Sequence, residues 1–453
     1  MALPITSNQE NVGSSICGFH WLHAFLASLR AKVLEIAKYA KKIAKDDPRR
    51  IIHSLKAGLA VILVSLLYYI EPLYNSFGVN TTWAVLTAVV VFEFSVGATL
   101  GRGLSRMLAT LVAGALGLGA HRLATLSGDM SEAIVINVIV FSIVAIVSFA
   151  RFFPKMKARF DYGLMIFILT FSLIAVSGYR EESIPKMALE RLTTIVAGSC
   201  VTILVNICIF PVWIGQDLHN LVAANLEKLG NFLLGFGGEY FGVSEDEDAP
   251  NEDRSFLQGY KSVLTSQSGQ ENMVNLARWE PGHGRFRFRH PWKQYLKIGN
   301  LIHQCAIKID ALNNYLDPQI QTPMEIRRKI QEQCTEISLE CGRALRESSL
   351  SLKTMARNES ARLHVANSKT AAENLKSLIK IGLWEEADLL EITSVTAVAT
   401  LLMGTVQSTE RIVDAVHELA SMAGFKTEIT TSSFIQRVHD VNVQNHEITM
   451  GGE

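Results

Sequence analysis

The stretch "VVVFEFSVGATLGRGLSR", Val89 to Arg106, decides how this chain is read. It begins as an apolar run fit for lipid. It then carries Glu93, Arg102 and Arg106, with Gly97, Ala98, Gly101 and Gly103 between them. Charged side chains in a membrane-grade run face a bundle interior, a partner or water, because lipid cannot solvate them. The stretch therefore belongs to a membrane helix bundle, and its charges either snorkel to the surface or line a path.

Working outward, six hydrophobic segments are expected to span: about Ser54–Ile70, Thr81–Thr99, Leu104–Leu123, Ala133–Phe153, Tyr162–Ser177 and Leu192–Trp213. Each approaches the ~20 residues needed to cross a bilayer core, and the shorter ones require tilt or polar flanks. The runs are continuous rather than alternating, so they read as helices, which satisfy their backbone groups internally. Ala109, Ala113, Gly114, Gly117 and Gly119 suit close helix–helix approach, the ordinary packing device of membrane bundles. The bulk numbers agree. The chain has 453 residues, 49% hydrophobic, with formal net charge zero and mean hydropathy +0.21. The neutral total offers nothing to nucleic acid. Apolar residues crowd the first half and charges the second, so two domains are expected.

The positive-inside rule sets the orientation. Arg30, Lys32, Lys38, Lys41, Lys42, Lys45, Arg49 and Arg50 precede the first span. Arg102 and Arg106 follow the second, and Arg151, Lys155, Lys157 and Arg159 the fourth. The alternate loops "EPLYNSFGVN", "HRLATLSGDMSEA" and "GYREESIPK" are poorer in basic residues or offset them with glutamates. Both termini are thus expected in the cytosol. Ile16–Leu29 lacks a basic leader and contains His20 and His23, so no signal peptide is assigned. Residues 17–45 read instead as an amphipathic cytosolic helix.

After the sixth span the chain changes character. "GVSEDEDAPNEDRS" (242–255) reads as an exposed acidic loop. From Pro291 onward, "WKQYLKIGNLIHQCAIKIDALNNYL", "PMEIRRKIQEQCTEISLECGRALRESSLSLKTM", "TAAENLKSLIKI" and "ITSVTAVATLLMGTVQSTERIVDAVHELASMA" carry helical periodicity. "TAVATLLMGTV" is apolar but too short to span, so it reads as a buried core helix. The expected fold is an all-α membrane protein, six transmembrane helices followed by a cytosolic helical domain. The expected divisions are a cytosolic segment over 1–50, a transmembrane domain over 51–215, and a linker over 216–290. A helical domain over 291–425 and a variable tail over 426–453 complete the chain.

Enzyme chemistry finds no support, and the chain is read as a non-enzyme. GxxxxGK[ST], HExxH and GxSxG are all missing, and "GATLGRG" lacks the Lys-Ser/Thr of a phosphate loop. His219 follows Asp217 in "FPVWIGQDLH", with no nucleophile context. The six cysteines, at 17, 200, 208, 305, 334 and 341, form no CxxC and no metal spacing, and are read as reduced thiols. No cofactor is implied. The notable features are intramembrane cations: Arg106 a turn or two inside the third span, Arg191 opening the sixth, and Lys56 near the start of the first. Burying an arginine at mid-bilayer costs ~2.5–3.5 kcal/mol on insertion scales, and a pore lined by cations favours anions. The competing reading is snorkelling to phosphate headgroups. Glu93 is read as a structural partner of a basic residue in preference to a proton carrier.

The stretches "DPRRIIHSLKAGLAVILVSLLYY" (47–69), "WAVLTAVVVFEFSVGATLGRGLSR" (83–106), "RFFPKMKARFDYGLMIFILTFSLIAVSGYR" (151–180), "ERLTTIVAG" (190–198), "FPVWIGQDLH" (210–219) and "RWEPGHGRF" (278–286) resemble, in order, the plant aluminium-activated malate transporters. The resemblance covers about residues 1–425. It implies a homodimeric anion channel of six transmembrane helices and a cytosolic helical domain per subunit, passing malate and other small anions. Arg106 and Arg191 stand at the family's pore-arginine positions, Arg102 near the cytosolic mouth, and Lys56 as a further pore candidate. Trp279, Glu280 and Pro281 match a motif tied to gating or domain coupling. Membrane lipids are the other expected partner. The plasma membrane is favoured over the vacuolar membrane.

Aluminium activation is expected to be weak or missing. A hard trivalent cation wants clustered carboxylates. The outer face offers Glu181 and Glu182 as weak metal candidates, but Asn75 and Lys186 stand where responsive members carry acids. The expectation is passive, electrogenic flux. The alternatives are a proton-coupled organic-acid transporter and a membrane-tethered scaffold.

Overall fold

The computed structural model describes residues 13–71, 81–127, 131–178, 184–242, 256–317, 324–380 and 389–427. The chain divides into two compact units, Met1–Val212 and Trp213–Glu453.

The first unit contains α1 (Gly13–Asp46), α2 (Arg49–Tyr69), α3 (Thr81–Val91), α4 (Val96–Thr125), α5 (Glu132–Ala150), α6 (Pro154–Ser177) and α7 (Ile184–Cys208). Five of these, α2 and α4 to α7, are long and apolar enough to cross a membrane. The expected second span is different. Its helix ends at Val91 after 11 residues, and the next helix begins at Val96 and runs 30 residues. The boundary expected between Thr99 and Leu104 therefore lies at Phe92–Ser95. The reason is local chemistry: the Ser95 hydroxyl accepts the Ala98 N–H at 3.2 Å and caps a new helix. The Glu93 N–H is satisfied by Thr99 Oγ1 at 3.0 Å instead of by a helical carbonyl.

Small residues set the packing in this unit, as the glycine and alanine spacing predicts. A Cβ placed on Gly198 of α7 would lie 2.5 Å from the Ala84 carbonyl oxygen of α3, so these two backbones touch. A Cβ on Gly117 of α4 would sit 2.8 Å from Ile174 of α6. The α4–α6 seam is lined by Ala109, Ala113, Ala120, Ile166, Phe167 and Phe171. The outer faces remain apolar and exposed, with Ile134, Val138 and Phe141 on α5 among them. A water-soluble bundle would bury such residues, whereas lipid solvates them.

The second unit contains α8 (Ile214–Phe241), α9 (Gly259–Ala277), α10 (Trp292–Asn314), the single-turn α11 (Met324–Arg328), α12 (Gln331–Thr354), α13 (Ser360–Lys380) and α14 (Leu389–Ala423). Strands β1 (Ala356–Arg357) and β2 (Lys426–Thr427) pair in parallel over two residues. The expected linker over 216–290 is corrected: α8, from Gln216 on, and α9 lie within it, and both pack into this core. Leu218, Val222, Leu226, Leu229, Leu233, Phe236 and Tyr240 recur at helical spacing and are buried, so α8 is a central helix of this core. Gly242, at φ +66°, ends it in the left-handed conformation that glycine adopts without strain. The acidic loop, apart from Gly242, lies outside the described residues, as does the tail from residue 428. The apolar stretch 396–406 is part of α14, and Val398, Ala399, Leu402 and Val406 are buried in the second unit's core. It is a core helix and not a span.

Candidate functional site

The break between α3 and α4 organises the polar groups of the first unit. Ending α3 at Val91 frees backbone carbonyls inside an apolar bundle, where each unmet group costs several kcal/mol. Asn206, one residue in the apolar run of α7, meets them. Its Nδ2 donates to the Glu93 carbonyl at 3.1 Å, the Ser95 carbonyl at 3.3 Å and Thr99 Oγ1 at 2.6 Å. Its Oδ1 accepts from Lys56 Nζ at 2.8 Å. The Val96 N–H reaches the Val212 carbonyl at 3.1 Å, tying the same break to the end of this unit.

Lys56 is 2% exposed on α2. Its ammonium is held by two neutral oxygens, Asn206 Oδ1 and, at 3.3 Å, the Phe210 carbonyl. Phe210 takes a positive φ of 40°, which turns that carbonyl out of the α7 register. The outcome is a buried lysine braced by two neutral dipoles.

Arg106 is 3% exposed, and its Nε is buried without a hydrogen-bond partner. Thr110, one turn further along α4, also presents a buried hydroxyl without a partner. Arg191, about two turns into α7, has its guanidinium 4.8 Å from the Trp83 ring centroid, a cation–π contact, and its Nε is likewise buried and unpartnered. Arg102 is engaged elsewhere. It forms an ion pair with Glu93 and lies 5.5 Å from the Tyr162 ring centroid. The Glu93–Arg102 pair is partly exposed, with side chains 30% and 43% accessible. Of the residues expected on the outer face, Glu181, Glu182 and Asn75 lie outside the described residues, and Lys186 is exposed.

In the second unit, Trp279 is exposed, Pro281 is half-buried and Glu280 is buried. The Glu280 carboxylate accepts the Ile214 N–H at 2.6 Å and the Gly215 N–H at 3.1 Å, so it caps α8, whose first turn offers unpaired N–H groups. Gly215 has to be glycine there, since a Cβ would meet the Trp292 ring at 2.5 Å and the carboxylate at 2.8 Å. Burial pushes the Glu280 carboxyl up to about 7, against the two N–H bonds that favour its ionised form. The His283 ring stacks on Trp213 at 3.9 Å and donates from Nδ1 to the Pro281 carbonyl at 3.0 Å. Beside this cap, His219 donates from Nε2 to the Leu352 carbonyl and accepts the Tyr295 hydroxyl proton at Nδ1, both at 2.8 Å. His290 donates from Nε2 to that hydroxyl oxygen at 3.1 Å. Burial pushes both imidazoles down to about 4, so they are neutral hydrogen-bonding groups.

Sequence reasoning missed Asn206, Thr99, Trp83, Tyr162 and Thr110. Asn206 had a signal of its own: a lone amide in "TILVNICIF" needs a partner in lipid. Trp83 and Tyr162 read as ordinary interfacial aromatics, and no periodicity separates them from such residues.

Several lipid-compatible helices, buried cations braced by neutral groups and a separate helical unit define a multi-span membrane protein of the transporter class. The chain belongs to the aluminium-activated malate transporter family, whose description, "Aluminium activated malate transporter", matches residues 41–384. It is 50% identical over 399 residues to aluminum-activated malate transporter 2 of Arabidopsis thaliana, covering 88% of this chain and 80% of that one. It is 47% identical over 434 residues to transporter 7 of the same plant, covering 90% and 86%. To aluminum-activated malate transporter 1 of Triticum aestivum it is 42% identical over 440 residues, covering 95% and 94%.

Proposed function

We propose that this protein is a passive, electrogenic channel for malate and inorganic anions, working as a homodimer with Arg106 and Arg191 along the conduction path. Family membership supports malate or another small anion as the cargo. The observation that carries the channel reading is Arg106, a permanent cation buried in an apolar bundle with an unpartnered Nε. Leaving it so is expensive unless an anion passes and pairs with it. Weak braces suit conduction, because an anion must both bind and leave. Lys56 adds positive potential from the α2 side, while Arg102, drawn to Glu93, acts near the mouth. Trp279, Glu280 and Pro281 act in gating through the α8 cap. We place the protein in the plasma membrane with both termini cytosolic.

The Glu93–Arg102 ion pair engages that carboxylate structurally, which favours this reading over a proton-coupled transporter. Two-electrode voltage clamp of oocytes tests it, comparing wild type with Arg106→Ala and Arg191→Ala at matched surface expression. Malate-dependent current should reverse with the anion gradient, ignore external pH, change little with aluminium, and collapse in both variants. A reversal potential that follows pH would establish coupling instead. A well-expressed wild type with no current at either the cell or the vacuolar membrane would leave the scaffold reading.

A further inference from the structure

The apolar stripe of α1 has no role in the conduction path. Phe25, Leu29, Val33, Ile36, Ala40 and Ile43 recur every three or four residues and fall on one face of the helix. Phe25, Leu29, Val33 and Ile36 are 50%, 42%, 60% and 67% exposed, and only Ile43 at the far end is half-buried. Arg30, Lys38, Lys41, Lys42 and Lys45 occupy the opposite face, and Lys32 flanks the stripe. Over 25–46 there are six basic residues against two carboxylates, Glu35 and Asp46. Leu34 and Tyr39 are the exposed apolar residues off the stripe.

Two facts name what covers this face. The first is continuity: α1 ends at Asp46 and α2, a candidate span, begins at Arg49, so the last stripe residue, Ile43, lies six residues before a helix fit to enter the membrane. Asp47 fixes that corner by accepting the Arg49 N–H and Nε, each at 3.1 Å. The second is charge. A strongly basic helix repels a second copy of itself and is attracted to an anionic surface. An apolar stripe backed by Lys and Arg is the composition of a helix lying in a bilayer interface.

We infer that α1 is an interfacial helix that lies along the membrane surface. Its Phe25–Ile43 stripe enters the headgroup–acyl boundary, and its lysines are held by anionic lipid headgroups. Each basic residue near an anionic leaflet contributes ~1 kcal/mol, so salt weakens the docking. The bilayer would then anchor the approach to α2, on which the buried Lys56 sits.

The test uses the full chain, with Cys17, Cys200 and Cys208 replaced by serine and a nitroxide on Ile36→Cys or Lys42→Cys. The unaltered serine background, carried through labelling, reports any signal from the remaining cysteines. Proteoliposomes are of phosphatidylcholine, with or without phosphatidylserine, and power-saturation EPR compares access to oxygen with access to a water-soluble nickel chelate. With phosphatidylserine, the label at 36 should be open to oxygen and shielded from nickel, and the label at 42 the reverse. Replacing Lys38, Lys41 and Lys45 by glutamine should lower the interfacial population at 36, by roughly fivefold per lysine. Three outcomes overturn the inference. Nickel access at 36 in both lipids places the helix in water. Shielding from both reagents, with dipolar broadening between labels, places a second copy over the stripe. An identical profile in the two lipids removes the headgroups' charge from the account. None of these readouts depends on current, so the channel proposal stands or falls separately.

Discussion

The two units partner their buried polar groups differently. In the second, Glu280 receives two backbone N–H groups, and His219 has a partner at each ring nitrogen. Burial moves these groups toward neutrality, Glu280 up to about 7 and His219 down to about 4. In the first, Lys56 has only dipoles for partners, and the Nε atoms of Arg106 and Arg191 have none. A core built for stability neutralises what it buries. On the proposed reading, under-paired cations suit an anion path, because a fully satisfied cation has nothing left for a passing ion.

The largest test of that contrast is Arg106→Ala. Malate current should fall at least about tenfold at equal surface expression, corresponding to some 1.4 kcal/mol of lost anion stabilisation. Arg106→Lys should restore part of it, because a charge survives without the guanidinium fork. Unchanged current in the alanine variant would move Arg106 to the structural side of the comparison.

Asn206→Leu should follow in size. It removes the shorter of the two acceptors of buried Lys56, leaving the Phe210 carbonyl, and one donor each from the Glu93 and Ser95 carbonyls, which keep Thr99. The weakened brace should cost ~1–3 kcal/mol. Thermal unfolding in detergent should show a lowered midpoint, and less protein should reach the membrane. Wild-type stability would mean that water replaces the amide.

Glu280→Gln tests the second unit. The folded carboxyl titrates at about 7, above its ordinary value of 4.5. The folded state therefore binds the extra proton between those values. The contribution is fully present below about pH 4.5 and is lost as pH rises through about 7. Thermal scans of the intact protein from pH 5 to pH 8 should lose this falling component in the variant, which keeps one acceptor for the α8 cap. Glu280→Ala should cost more at all pH values, about 0.5–2 kcal/mol for a lost cap.

Glu93→Gln should have the smallest effect on stability. A partly exposed pair such as Glu93–Arg102 contributes about 0.2–1 kcal/mol. The informative readout is the reversal potential, which should stay independent of pH in both proteins. A pH-dependent reversal in wild type that vanishes in the variant would make Glu93 a proton carrier.

Much of this was legible in advance. Long apolar runs and small-residue spacing fixed the membrane helices, because length and transfer free energy are additive along a chain. The cations at 56, 106 and 191 stood out for the same reason: a charge in such a run is conspicuous. The ordered match of motifs carried the family. Less legible was the division of the α3–α4 stretch. Val89–Arg106 has hydropathy enough to continue as one helix, and it breaks because Ser95 caps a new turn and Asn206 satisfies the freed carbonyls from more than a hundred residues away. The α8 segment falls within the expected linker, although its own leucine and phenylalanine spacing is helical.

The sequence by itself determined an all-α chain with a lipid-compatible half, a polar helical half, buried cations and a basic amphipathic lead-in. Each follows from the composition and period of a local stretch. Tertiary structure decided which cations are paired. Arg102 and Arg106 lie four residues apart on one helix, yet the first finds Glu93 and the second keeps a bare Nε. The physical reason is that pairing depends on where α3 stops and which carboxylate that break swings back over α4. Such a contact is set by packing among helices, and no local pattern encodes it.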